Sequence, residues 1–252
     1  MDMITETENK EKKLVVITGA SSGYGKELAQ LFSSQGYPLL LLARRVELMK
    51  EMNLPNTLCK QVDVTDYASV EAAVKEAEQH FNLPVDLMVN NAGYMALTKS
   101  YDTDCFEQWE KMVDVNIKGV LNGTKAVINS MKARNTGTII NISSIAGFKT
   151  FTDHSVYCST KFAVHAFTET AREELAPFNV RMLLVSPGVS ETELLSHTTN
   201  TTLKNNYLEW KKTMQGQSLK PIEICKSILF IYQMPQSVSI RDLVIAPTRQ
   251  SG

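Results

Sequence analysis

Leu14-Val15-Val16-Ile17-Thr18-Gly19-Ala20-Ser21-Ser22-Gly23-Tyr24-Gly25 runs from a continuous apolar, β-branched segment into a glycine-rich turn. An unbroken apolar run, as opposed to an alternating one, is the pattern of a strand buried on both faces. From Lys26 to Gln35 the apolar residues fall at Leu28, Leu31 and Phe32, which is helical spacing. The order is strand, glycine loop, helix. Gly19, Gly23 and Gly25 stand where missing side chains let backbone amides and a helix N-terminus face a pyrophosphate, so the stretch predicts dinucleotide binding. Its Gly-x-x-x-Gly-x-Gly spacing differs from the commoner Gly-x-Gly-x-x-Gly.

Working outward, Gly36 reads as a helix stop and Pro38 to Ala43 as a second buried strand, followed by a helix from about Val46 to Met52. Thr57 to Val62, Tyr67 to Phe81 and Val85 to Val89 repeat strand, helix, strand. In the second half a long helix from about Cys105 to Lys132 precedes a strand at Thr138 to Ile142. A helix from Val156 to Leu175 then precedes Val180 to Val185, and Ile222 to Gln233 precedes Leu243 to Ala246. Such alternation predicts parallel βαβ units and an α/β fold whose open sheet is covered on both faces. Residues 1–12 read as a disordered tail and residues 13–252 as one domain. Ser190 to Lys220, polar and helix-forming without a strand, reads as an insertion over the sheet edge that covers the substrate.

With 252 residues, 43% hydrophobic and 21% charged, the composition is that of an ordinary globular protein. A net charge of -1 and no cluster of basic residues argue against nucleic acid as a partner. The N-terminus is polar and acidic, unlike a secretory signal, and no apolar run approaches the roughly 20 residues that span a bilayer. A cytoplasmic protein with no membrane partner is expected. Cys59, Cys105, Cys158 and Cys225 lack ligand spacing, so neither a metal site nor a disulfide framework is expected.

Tyr157 and Lys161 are spaced i, i+4, which places them on one face of a helix, one turn apart. A cation at ~4 Å favours a phenolate by up to ~4 kcal/mol at an effective dielectric of ~20, enough to bring a tyrosine from ~10 towards ~7. A proton shuttle is the expectation. Ser144, just past the apolar run ending at Ile142, offers a hydroxyl to hold a carbonyl or alcohol oxygen beside it.

Thr18-Gly19-x-x-x-Gly23-x-Gly25, Asn90-Asn91-Ala92-Gly93, Asn116, Ser144, Tyr157-x-x-x-Lys161 and Pro187-Gly188, in this order, resemble the short-chain dehydrogenase/reductase family from about Lys13 to Pro247. The resemblance implies a three-layer Rossmann fold with a seven-stranded parallel sheet and helices on both faces. It also implies a nicotinamide cofactor and reversible hydride transfer between a carbonyl and an alcohol. Carried over by position, Tyr157 is the general acid and base, Lys161 lowers its pKa and holds the nicotinamide ribose, and Ser144 orients the substrate, with Ser143 a bland neighbour. Asn116 resembles the helix-kinking asparagine that anchors a water in the proton relay. The implied cofactor contacts are Gly19, Ser21, Ser22, Gly23, Tyr24, Gly25, Asp63, Val64, Asn90, Ala92, Gly93, Tyr157, Lys161, Pro187, Gly188 and Thr192, with Asp63 at the adenine and Thr192 at the carboxamide. Ala43-Arg44-Arg45 ends the second strand without a carboxylate, so Arg44 and Arg45 favour the 2′-phosphate of NADP(H) over NAD(H). Tyr24, where a small aliphatic residue is usual, either shifts the loop or lines the nicotinamide pocket.

Phe148, Phe151, Val189, Leu194 and Leu195 suggest an apolar substrate wall, and His154 reads as a solvent-facing loop residue. The ending from Asp242 to Gln250 resembles NADP-dependent family members acting on small hydroxy acids, short-chain alcohols or terpenoid alcohols. Phe106, Trp109, Met112, Val113, Val120 and Leu121, with Phe162, Val164 and Phe167, cover wide helical arcs. They suggest a partner surface, and the family resemblance implies a homotetramer or homodimer. The alternative to an enzyme on a small-molecule carbonyl or alcohol is a catalytically idle cofactor-binding regulator of the same fold.

Overall fold

In the computed structural model, which describes residues 13–250, seven strands form one parallel sheet in the order β3-β2-β1-β4-β5-β6-β7. They are β1 (Leu14–Thr18), β2 (Leu39–Ala43), β3 (Thr57–Gln61), β4 (Val85–Asn90), β5 (Thr138–Ile142), β6 (Arg181–Pro187) and β7 (Asp242–Ile245). The expected tail, residues 1–12, lies outside the described residues. Val16 pairs with Leu40 on one side and Met88 on the other, so β1 is a central strand, and every residue of β1, β2, β4, β5 and β6 is buried. That explains why these segments read as unbroken apolar runs.

Alternate residues feed opposite faces, as the two-residue strand period requires. Val15, Ile17, Leu39 and Leu41 pack with α1 (Gly23–Ser34), α2 (Val46–Lys50) and α8 (Pro221–Gln233). Leu14, Val16, Leu40 and Leu42 pack with α3 (Tyr67–Phe81) and α5 (Gly119–Arg134) on the other. Each such side chain contributes roughly 1.5–3 kcal/mol when fully buried. The result is the three-layer Rossmann fold. Arg181 joins the layers, since its buried guanidinium donates to Thr138 Oγ1 (3.0 Å) and to the carbonyls of Ile231, Tyr232, Met234 and Val238 at the end of α8. It satisfies carbonyls that a helix C-terminus leaves open.

The expected Cys105 to Lys132 helix is interrupted. α4 (Phe106–Val113) passes through a π-helical turn, Asp114–Lys118, before α5 begins. Such turns mark places where a helix must re-aim a side chain, here Asn116. α6 (Ser155–Leu175) follows β5 and packs on β6. Within 190–220 lie α7 (Thr201–Lys212) and a single bridge, Ser190 to Leu219. Among the described residues no helix is long and apolar enough to cross a membrane.

Candidate functional site

At the C-terminal ends of the strands, above the point where the order reverses between β1 and β4, opens a cavity of about 790 Å³. An open parallel sheet binds ligands at this switch point. Thr18 builds its rim: its hydroxyl accepts from Asn91 N (2.9 Å) and Ala92 N (3.0 Å) and donates to Val89 O (3.3 Å). Asn91 returns a bond to Thr18 O (2.8 Å). Gly19 has φ +65° there, and a Cβ on it would lie 2.8 Å from Ala92 Cα, so only glycine permits this approach. Ser21, Ser22, Gly23 and Tyr24 lead from this rim into α1 and line the cavity. Gly25 does not. A Cβ there would sit 2.3 Å from Gly19 O, so it acts behind the loop by letting the backbone fold onto itself.

Ser144, Tyr157 and Lys161 meet in the cavity wall. Tyr157 and Lys161 stand one turn apart on α6, both 5% exposed, and the Lys161 ammonium lies 5.6 Å from the Tyr157 ring centroid. Lys161 Nζ donates to Ile142 O (3.0 Å) at the end of β5. Ser144 Oγ accepts from Ala146 N (3.1 Å), which fixes it, and hydrogen-bonds the Tyr157 phenol. The expected electrostatics change sign here. Burial pushes the Tyr157 phenol up and outweighs the Ser144 hydrogen bond, while burial lowers Lys161 to about 8. Desolvation penalises the charged form of each partner and is the largest influence on both.

Asn116, 1% exposed, does not line the cavity. Its Oδ1 accepts from Tyr94 N (2.8 Å), and its Nδ2 donates to Tyr94 O (2.8 Å) and Thr160 Oγ1 (3.1 Å). Both Nδ2 hydrogens are thus committed. The π turn aims this side chain so that it ties the 93–95 loop to α6.

Asn90 is a correction to the expected cofactor contacts. It points away from the cavity and donates to Asn141 Oδ1 (2.8 Å), Thr124 Oγ1 (3.4 Å) and Val120 O (3.5 Å), joining β4 to β5 and α5. Its neighbour Asn91, just past the end of β4, lines the cavity instead and is held by its bond to Thr18 O. Ala92, Gly93, Asp63, Val64, Pro187, Gly188 and Thr192 do line it. Burial would raise Asp63, but bonds from Thr65 N (3.0 Å) and Oγ1 (2.8 Å), with Arg44 nearby, hold it below its ordinary value.

Arg44 and Arg45 line the cavity beyond β2, three strand positions from β5 and so about 14 Å away at ~4.8 Å per step. Arg45 donates to Ser22 Oγ (2.9 Å) and Glu193 (3.2 Å), bridging the glycine loop to the insertion. Tyr24 makes a second bridge through a hydrogen bond to Ser190, so this departure lines the cavity without displacing the loop from the wall.

The insertion forms the rest of the wall. Val189, Leu194, Leu195 and Phe151 line the cavity as expected, but Phe148 does not; half exposed, it packs edge-on against His165, with centroids 4.3 Å apart. His154 is not solvent-facing. It caps α6 half-buried, with rings of Phe151 at 5.9 Å, Tyr157 at 6.3 Å and Tyr207 at 6.0 Å, and burial lowers its pKa. Sequence reading missed Tyr207, Trp210 and Gln250, all in the wall. The signal for the first two was their spacing with Leu203, which puts Leu203, Tyr207 and Trp210 on one face of α7.

The cavity fits a nicotinamide dinucleotide. Ser143 Oγ and Gln250 Nε2 are buried polar atoms of the wall without a protein partner among the described residues, so Ser143 is more than a bland neighbour. The glycine rim leaves backbone facing the cavity, and two guanidinium groups stand at one end with no carboxylate on β2.

Comparison with known proteins agrees with this geometry. The family described as short chain dehydrogenase matches residues 13–203. An uncharacterised oxidoreductase of Staphylococcus saprophyticus is 36% identical over 249 residues, covering 96% of this chain and 99% of that protein. Glycine betaine reductase of Emericella nidulans is 35% identical over 242 residues, 93% of this chain but 19% of that much longer protein. The closed form of a serine dehydrogenase complexed with NADP+ superposes with a TM-score of 0.83 at 31% identity, covering 95% of this chain and 96% of that one. The chain belongs to the short-chain dehydrogenase/reductase family of oxidoreductases, which work with a nicotinamide cofactor.

Proposed function

We propose that the protein is an NADP(H)-dependent oxidoreductase that interconverts a carbonyl and a primary or secondary alcohol, with Tyr157 as general acid and base. The observation that carries this reading is the meeting of Ser144, Tyr157 and Lys161 in one cavity with Arg44 and Arg45. Arg44 and Arg45 would hold the 2′-phosphate, the Gly19–Gly23 rim and the start of α1 the pyrophosphate, and Lys161 and Thr192 the nicotinamide half. When bound, the cofactor supplies or accepts the hydride. Ser144 holds the substrate oxygen beside Tyr157. Because burial raises its pKa, the Tyr157 phenol stays protonated at neutral pH and is set to donate its proton as a carbonyl is reduced. Lys161, lowered to about 8, exchanges protons near neutrality and can return one to the phenol. Asn116 acts as a positioning residue through Tyr94 and Thr160. The relatives named for serine and for glycine betaine support a small polar substrate.

NADPH oxidation and NADP+ reduction followed at 340 nm across hydroxy acids, small alcohols, terpenoid alcohols and their carbonyl partners test the reading. Tyr157→Phe should lower kcat by about 10²–10⁴, and a variant within tenfold of wild type would refute the role. We also propose a homodimer or homotetramer. Phe106 (57%), Val113 (44%), Leu121 (41%) and Phe162 (41%) are exposed across α4, α5 and α6, whereas Met112, Val120 and Val164 are buried in the protomer and add nothing to that face. A sedimentation run giving monomer at micromolar concentration would sink this.

A further inference from the structure

Four aromatic side chains close a ring in the substrate end of the cavity. Phe151 and His154 lie 5.9 Å apart between centroids, His154 and Tyr207 6.0 Å, Tyr207 and Trp210 5.4 Å, and Trp210 and Phe151 6.4 Å. Neighbouring planes are tilted by 59°, 45°, 56° and 60°. Across the diagonals, Phe151 with Tyr207 and His154 with Trp210, no ring contact occurs among the described residues, and the four are tilted and not stacked. All four line the cavity, and all are partly accessible. The centre of a ring of this size lies about 4 Å from each centroid, inside the ~6 Å reach of a cation–π contact. His154, held through Nδ1 to Thr152 O (2.7 Å) and lowered by burial, presents a neutral imidazole at pH 7.

Building on the reading of the site as a carbonyl/alcohol oxidoreductase, we infer that this ring is a cage for a quaternary ammonium group carried by the substrate beyond its reacting carbon. The cage adjoins the reaction centre, since the His154 ring lies 6.3 Å from that of Tyr157. Aromatic rings without a carboxylate among them suit a weakly hydrated alkylammonium. Of the charged groups in the cavity wall, Arg44, Arg45, Asp63 and Glu193 belong to the end beyond β2, and Lys161 is bonded to Ile142 O. Asp153, beside the ring, is paired with Lys99. Lys149, 5.7 Å from the Phe151 centroid, is exposed and outside the wall. Lys211, next to Trp210 and in the wall, is the one cation that opposes a second, so Lys211→Met should tighten binding.

The test compares choline with 3,3-dimethylbutan-1-ol, its neutral isostere with carbon in place of nitrogen. Each is titrated calorimetrically into the NADPH-saturated protein, and each is assayed for oxidation with NADP+. Choline should bind at least about tenfold tighter than the isostere, and Trp210→Leu and, independently, Tyr207→Leu should each lower that preference about tenfold. Equal or tighter binding of the isostere overturns the cage and assigns the rings to an apolar arm. Oxidation of the isostere without choline binding would leave the oxidoreductase reading standing and remove the inference. Preferred choline binding with no oxidation of either alcohol would keep the cage and count against the proposed reaction.

Discussion

Replacing Lys161 with methionine should make the protein more stable at neutral pH while ending the activity proposed for it. Lys161 is 5% exposed, and its pKa falls from 10.5 to about 8 because burial penalises the ammonium. That drop corresponds to about 3 kcal/mol against the charged side chain at pH 7. Methionine fills similar volume without charge, but it forfeits the bond to Ile142 O, worth about 1–2 kcal/mol. The balance is a gain of about 1–2 kcal/mol, or a Tm higher by about 2–8 °C for a chain of this length. The pH dependence is the sharper readout. Between about pH 8 and 10.5 the unfolded chain holds a proton on Lys161 that the native protein has released, so wild-type stability rises with pH. The contribution is complete above about 10.5 and lost as pH falls through about 8. From pH 7 to pH 9.5 the wild type should therefore gain about 2 kcal/mol on the variant in urea unfolding. Parallel stability profiles over that range would refute the argument that burial, and not attraction to Tyr157, sets the state of Lys161.

Arg44→Asp should raise the KM for NADPH by about 10–100-fold, the value of one or two charge-assisted bonds to a phosphate, while that for NADH falls or holds; steady-state kinetics with both cofactors check this. Arg181→Leu strips five hydrogen bonds from β5 and the end of α8 and leaves their carbonyls buried, so it should cost about 3–5 kcal/mol by chemical denaturation. Gly123→Ala places a Cβ 2.0 Å from Asn90 Oδ1, forcing α5 from β4 at about 1–3 kcal/mol, readable as a lower urea midpoint with an unchanged slope. Glu193→Ala frees Arg45 from its partner across the cavity mouth and should lower the Kd for NADPH; an unchanged or higher Kd would show that the bridge does not compete with the cofactor.

The parallel sheet was legible because a strand buried on both faces must be apolar throughout, and five of the seven strands have every residue buried. Local spacing likewise placed Tyr157 and Lys161 together on α6, since side chains four apart on a helix share a face. The Cys105 to Lys132 run read as one helix because its composition is helical throughout; the π turn at Asp114–Lys118 contains Asn116, whose partners Tyr94 and Thr160 lie 22 and 44 residues away in the chain. Asn90 and Asn91 could not be sorted by type, only by where each side chain goes at the end of β4.

From sequence alone came the layered α/β fold, the glycine rim and the pairing of Tyr157 with Lys161 on one helix face, all of which depend on neighbours within a few turns or on the period of burial. Tertiary structure alone decided the protonation of that set, the inward turn of His154 and the ring it forms with Phe151, Tyr207 and Trp210. The physical reason is shared: desolvation and ring packing depend on everything that surrounds a side chain, and α7 reaches this site from some fifty residues further along the chain.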